Sequence, residues 1–211
     1  MTEIERVVCG MVNCYLLMGE HGAVLVDTGE TADRERIVAA CRKKQVRLIL
    51  LTHGHIDHIQ NAAYLAREWN VPIAMNEKDA GLVRNQFAQP LTGKGIFGWG
   101  LEKASKRKMQ KNQVEDFAAD LFLKEGDTLE QFGVQASVLE LPGHTEGSIG
   151  LDVDGHTVLV GDALMHMLFP GIACIYSDEK KLRESAEKIT ALGSRTVCFG
   201  HGTSMANRHW L

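Results

Sequence analysis

Residues 51–61 read LTHGHIDHIQN, with three histidines and an aspartate between His53 and His58, directly behind the apolar run VRLILL at Val46–Leu51. Such a run is a buried strand, and imidazoles and a carboxylate at its end are costly to bury unless something satisfies them. A metal ion satisfies all four. His53 and His55 stand two apart, so in extended backbone their side chains leave on the same side and can share one ion. Asp57 and His58 follow where the chain turns into a helix, which aims them toward a second position. Zinc or iron takes imidazole nitrogen and carboxylate oxygen from at least three protein groups per ion. One loop cannot surround two ions, so further ligands are expected at the ends of other strands.

They recur with one grammar: an apolar strand, a glycine that permits a tight turn, then a ligand-type side chain. His144 stands in LELPGHTEGSIG, Asp162 closes HTVLVGD, and His201 follows TVCFG in TVCFGHG. A single histidine at a strand end is ordinarily structural, but three recurrences after a four-group cluster point to a metal centre.

The rest of the composition is that of an ordinary globular chain. The chain has 211 residues, 45% of them apolar and 24% charged, with a net charge of −4. That size predicts a single domain over residues 1–211, with 86–115 as a lid-like insertion. The charge gives no bias toward nucleic acid or membrane, and no apolar run approaches the roughly 18 residues of a membrane span. The start, MTEIERVVCG, is acidic and without an apolar leader. The five cysteines (Cys9, Cys14, Cys41, Cys174, Cys198) are scattered and odd in number, so reduced thiols and a cytoplasmic location are expected.

RVVCG, NCYLLMG and GAVLVDTG read as successive strands with glycine-bearing connections. Thr31 is a plausible cap of a helix through ERIVAACRKK, and a further helix is predicted over roughly Ile59–Trp69. VPIAM is a short strand and EKDAGLVRN a short helix. Regular strands are predicted through DLFLKEGDTLEQFGVQASVLEL, and Asp154-Gly155 is a two-residue hairpin signal. A helix over about Asp178–Leu192 precedes the last strand. Several strands followed by a helix in each half suit two packed sheets with helices outside.

THGHIDH, PGHTEGS, GDA and GHG, in that order and with VLVDTG at Val24–Gly29, resemble the metallo-β-lactamase superfamily of binuclear hydrolases from about Val8 to Gly202. The resemblance implies an α/β fold, an αββα sandwich of two mixed sheets flanked by helices, with metals at one edge. It assigns His53, His55 and His144 to a first ion, Asp57, His58 and His201 to a second, and Asp162 to both. Asp27 becomes a residue that orients a ligating histidine. The implied cofactors are two divalent ions, zinc first, with iron or manganese as alternatives. The implied nucleophile is a metal-bridging hydroxide, with Asp57 and His58 as catalytic groups.

No cysteine or serine replaces a ligand as in true β-lactamases, and His55 is not the glutamate of flavo-diiron relatives. Classical glyoxalase II enzymes add a C-terminal helical domain for glutathione, and only a short tail follows His201. The expected function is thus a small, glyoxalase II-like dinuclear hydrolase of an ester-like bond, thioester or lactone before phosphodiester. Alternatives are a mononuclear iron persulfide dioxygenase-like enzyme using His53, His144 and Asp162, an RNA-processing phosphodiesterase, and a non-catalytic metal-binding interaction module.

Substrate choice is expected to rest with the insertion and with LMHMLFPGIACIYSD (Leu164–Asp178), read equally as pocket wall, core or subunit contact. His166, Phe169 and Tyr176 are its pocket candidates. Lys103, Lys106, Arg107, Lys108 and Lys111 read as a solvated helix face, or else as a basic face for anionic substrates. Gln60 and Asn61 read as a particular packing of a helix start, or else as donors near the site. The expected partner is a small-molecule substrate, with neither nucleic acid nor membrane, and a homodimer is left open.

Overall fold

A computed structural model describes residues 1–211. In chain order the first half contains β1 (Glu3–Cys9), β2 (Val12–Gly19), β3 (Gly22–Val26), α1 (Arg34–Cys41), β4 (Val46–Leu50), α2 (Ile56–Ile59), α3 (Ala62–Trp69), β5 (Ile73–Met75) and α4 (Ala80–Arg84). Residues 86–115 contain β6 (Thr92–Gly93) and α5 (Gly95–Lys111), and β7 (Leu121–Phe122) follows. The second half contains β8 (Ala136–Glu140), β9 (Ile149–Val153), β10 (Thr157–Leu159), β11 (Leu164–His166), β12 (Pro170–Ile172), β13 (Ile175–Tyr176), α6 (Glu179–Ala191), β14 (Thr196–Cys198) and β15 (Met205–Ala206).

One sheet runs β1-β2-β3-β4-β5-β7 and the other β15-β14-β10-β9-β8. Both are mixed: the first is antiparallel through β1, β2 and β3 and parallel from β3 onward, while β10 pairs parallel with β14 and antiparallel with β9. The alternation along β3 explains the layering. Val24 and Val26 face Val138, Leu151 and Leu159 of the other sheet in a central core, whereas Ala23 and Leu25 face Ile37 of α1 and Leu65 of α3. A strand covered on both faces reads as a continuous apolar run, as GAVLV does. The outer face of the second sheet, with Val158 and Val197, packs on Leu182 and Ile189 of α6. This is the αββα sandwich.

Three local readings change. Thr31 opens a short 3-10 turn and caps nothing; Glu30 precedes that turn, and neither it nor Asp33 before α1 makes a side-chain cap bond. The helix expected over Ile59–Trp69 is broken at Gln60-Asn61 into α2 and α3. The segment from Asp120 to Leu141 holds only the two-residue β7, a 3-10 turn at Glu130–Phe132, and β8. The turn at Asp154-Gly155 matches its signal, both residues lying in the left-handed region at φ 52° and 68°, which joins β9 to β10 in antiparallel register. No helix is long and apolar enough to cross a membrane.

Candidate metal centre

Each expected ligand leaves the end of a strand at one edge of the sandwich. His53 and His55 follow β4, Asp57 and His58 lie on α2, and His144, Asp162 and His201 follow β8, β10 and β14. The glycine before each of the last three has a definite task. Gly143 and Gly161 adopt φ 132° and 51°, which side chains rarely tolerate. Gly200 is instead a close approach: a Cβ there would collide with the Asp162 carboxylate and come within 3.0 Å of His58 Cε1.

All seven side chains converge. Their donor atoms form three overlapping groups, His53–His55–His144, His53–His58–Asp162 and Asp57–His58–His201, each with atoms within 4.8 Å of one another. His55 Nδ1 lies 2.9 Å from His144 Nε2. Asp162 stands in the middle, with Oδ2 3.1 Å from His201 Nε2 and 3.6 Å from His144 Nε2, and Oδ1 3.7 Å from His58 Nε2. Asp57 Oδ2 is 3.9 Å from His201 Nε2. Two ligands of one tetrahedral zinc, each at about 2.1 Å, stand roughly 3.4 Å apart, so these separations suit shared ions.

The far side of four of the five rings is anchored. His58 Nδ1 meets Asp27 Oδ2 at 2.8 Å, His144 Nδ1 the Ile175 carbonyl at 2.9 Å, His201 Nδ1 the Met11 carbonyl at 2.8 Å, and His53 Nδ1 the Thr52 hydroxyl at 3.1 Å. Such partners fix ring orientation and tautomer and present the other nitrogen inward. What remains is an orphaned set: His53 Nε2, His58 Nε2 and Asp162 Oδ1 are buried without any hydrogen-bond partner. Buried polar atoms are nearly always paired, so three together mark a place built for a cation.

Burial lowers His53 well below its ordinary range, brings His55 to about 3 and lowers His144, leaving these imidazoles neutral and ready to ligate. Burial also pulls His58 and His201 down, but the surrounding carboxylates together outweigh it: Asp162 and Asp57 at both, with Asp27 adding at His58, which rises to about 10. Burial opposes ionisation of Asp162, yet His201 and His58 hold it well below the usual carboxylate range. The carboxylates thus demand positive charge at this spot, and a divalent ion would displace the protons that otherwise provide it.

Asp27 occupies the position expected of it. At φ 60° it is one of four non-glycine residues in the left-handed region, a strain repaid by three contacts: Thr52 N and Thr52 Oγ1 each donate to its carboxylate at 2.8 Å, and His58 does so as above. Asp27→Asn is expected to weaken metal affinity about 10–100-fold, measured by competition with a chromogenic chelator.

Other expectations resolve differently. Asn61 donates to the Thr28 and Glu30 carbonyls and accepts from Arg34, while Gln60 accepts from Thr31 N and donates to the Gln113 carbonyl. Both brace the loop after β3 rather than point into the cavity, the packing alternative. His166 lies outside the three ligand groups, its Nδ1 2.7 Å from the Thr203 carbonyl, and it lines a neighbouring groove. Phe169, 87% exposed just before β12, and Tyr176, which donates to Glu179 Oε2 at 3.0 Å, line neither that groove nor the central cavity. From the same stretch Met165, Met167 and Ile175 form wall instead. The five cysteines are all free thiols.

The cavity holds about 180 Å³ above the ligand atoms. Its floor is His55, Asp57, His144, Asp162 and His201, and α5 covers one side with Leu101, Ala104, Ser105, Lys108 and Met109. Two supporting residues escaped the sequence reading. Asp79, fully buried, accepts from Gly54 N, Gly147 N, Thr145 Oγ1 and Gln89 Nε2, joining the loop of His53 and His55 to that of His144. Gln86 accepts from Ile56 N and donates to the Gly54 carbonyl. The only signal for Asp79 was an acid at a helix start, which ordinarily serves the helix itself.

Known proteins agree with this architecture. A family model described as metallo-beta-lactamase superfamily matches residues 7–201. The Mycobacterium leprae protein ML0493 is 31% identical over 211 residues, covering 91% of this chain and 87% of its own length. Hydroxyacylglutathione hydrolase GloC of Haemophilus influenzae is 32% identical over 168 residues, covering 77% of this chain and 71% of its own. Among solved structures, TTHA1623 in a di-iron-bound form superposes with a TM-score of 0.70 at 26% identity, covering 95% and 92% of the two chains.

Proposed function

The chain belongs to the metallo-beta-lactamase superfamily, and from that premise we propose that it is a metal-dependent hydrolase that holds two divalent ions and cleaves an ester-like bond. The observation that carries this reading is the orphaned trio His53 Nε2, His58 Nε2 and Asp162 Oδ1, buried and convergent among otherwise anchored rings. His53, His55 and His144 would hold the first ion and Asp57, His58 and His201 the second, with Asp162 standing between the two groups. A thioester or lactone is favoured ahead of a phosphodiester, the thioester supported by kinship with the hydroxyacylglutathione hydrolase GloC, and the di-iron form of TTHA1623 keeps iron beside zinc as the metal.

When bound, such ions polarise a scissile carbonyl and bring the pKa of coordinated water from 15.7 to about 7. The protein's own residues set the conditions. Asp27, Ile175 O and Met11 O lock the rings of His58, His144 and His201 so that no reorganisation is needed during reaction. The Asp57 carboxylate makes no hydrogen bond, with Lys108 at 3.8 Å and His201 at 3.9 Å as its charged neighbours, and besides holding the ion it would carry a proton toward the leaving atom. Met109, Met165 and Ile175 narrow the cavity and exclude bulk water.

Elemental analysis of the purified protein is expected to give about two ions per chain, with turnover in a screen of acyl thioesters, lactones and bis-p-nitrophenyl phosphate. A single iron per chain with oxygen uptake on persulfides would overturn the proposal in favour of a mononuclear dioxygenase. Two ions with no turnover in the whole screen would remove its catalytic half.

A further inference from the structure

The residues that α5 turns toward the ligands are Leu101, Ala104, Ser105, Lys108 and Met109, spaced three and four apart along one helix face. Three other basic residues of this helix have other settings. Lys103 lies over the Trp99 ring at 5.3 Å, Lys106 Nζ reaches Glu102 at 2.6 Å, and Arg107 borders the same outer depression as those two. Lys108 alone enters the cavity, where it is the only lysine or arginine on the wall.

Lys108 Nζ donates to Glu30 Oε1 at 2.8 Å and stands 3.8 Å from Asp57 Oδ2, too far for a hydrogen bond. An ammonium has three donors, so the Glu30 contact fixes its position while leaving donors for a ligand. Around it the wall is apolar: Met11, Leu101, Met109, Met165, Met167 and Ile175. A single basic side chain on an otherwise largely apolar wall, above the floor of histidines and carboxylates, is placed to orient a ligand by one charged group, and methionines let the remaining surface adapt to its shape.

We propose that Lys108 is a specificity-determining residue that binds a carboxylate on the acyl arm of the substrate, so that the preferred substrates are anionic, dicarboxylate-derived acyl thioesters or esters. The inference rests on the hydrolase reading above. Proximity of Lys108 to Asp57 places the carboxylate a short spacer from the scissile carbonyl. The acyl arm lies beneath α5, and the leaving group departs along the groove of Arg6, Phe97 and Thr203, which shares Met11, Met167 and His201 with the cavity.

The test compares succinyl and 4-methylpentanoyl thioesters of N-acetylcysteamine, which differ in charge at nearly constant shape, in the metal-loaded enzyme. The corresponding amides, titrated calorimetrically, give binding without turnover. The wild type is expected to favour the succinyl compound by roughly tenfold or more, the scale of a charge-assisted hydrogen bond, with the difference in KM and in amide affinity rather than in kcat. Lys108→Met should bring the two substrates to within about threefold of each other, and Lys108→Arg should keep the preference. Glu30→Gln, which keeps an acceptor for Lys108 but removes a competing negative charge, should sharpen it. An undiminished preference in Lys108→Met, or a wild type that favours the neutral thioester, overturns the assignment. Lys108-dependent amide binding without hydrolysis of either thioester upholds it and overturns the hydrolase reading instead.

Discussion

His58→Ala is expected to lower hydrolysis by roughly three orders of magnitude, about 4 kcal/mol of lost transition-state stabilisation, while the metal content falls from about two ions per chain toward one. The magnitude follows from how many tasks this ring combines. Its Nε2 is one of the three orphaned buried atoms, and it contributes to two of the three ligand groups. Its Nδ1 compensates Asp27, which also holds the Thr52 backbone next to His53. Removing the ring therefore vacates the second position and leaves a buried carboxylate short of a partner, a loss on the scale of about 3–5 kcal/mol when uncompensated. Metal analysis, turnover and a thermal melt on the same preparation separate these effects. Full turnover in a folded His58→Ala protein would eliminate the two-metal mechanism.

The second large effect falls on a residue that touches no ligand atom. Asp79→Ala is expected to destabilise the fold by about 3–5 kcal/mol, because two buried backbone amides, Gly54 N and Gly147 N, lose their acceptor at roughly 1–3 kcal/mol each and Thr145 and Gln89 lose theirs as well. Chemical denaturation should show the midpoint falling with little change in slope. Asp79→Asn should recover only part of the loss, since its amide group faces donors with another donor. A midpoint unchanged in Asp79→Ala would show that the two ligand loops hold their shape without this junction.

These two residues also mark what could be read from the chain and what could not. His58 was legible because its signal is local: a cluster behind an apolar strand, echoed at His144, Asp162 and His201 by the same strand–glycine–ligand order. Each of those glycines is explained by backbone conformation or by a close approach that any side chain would block. The sandwich was legible for the same reason, since strands such as GAVLV are buried on both faces. Asp79 was not, because its meaning lies in contacts to Gly54 and Gly147, far away in sequence, and its own neighbourhood looks like an ordinary helix start. Lys108 was hidden among four other basic residues, and only the phase of α5 distinguishes it. Phe169 and Tyr176 misled because apolar content in a loop does not reveal which side faces the cavity.

The segment that carries α5 is not held to the sandwich by its ends alone. β6, just before α5, pairs with β13 so that Gly93 lies opposite Ile175, and Lys94 N bonds the Cys174 carbonyl at 2.8 Å. The carbonyl of Ile175 is the same one that meets His144 Nδ1. Displacing the helix to admit a bulky molecule therefore tugs on the group that keeps a ligating imidazole in register. With an ion at the proposed site, its retention and the occupancy of the cavity would be linked quantities: a molecule that binds only with the helix seated would strengthen the hold on the ion through His144, and the ion would strengthen the hold on the molecule by the same factor. Chelation would then strip the vacant protein faster than the occupied one, and a tight-binding product would act as a guard on the metal.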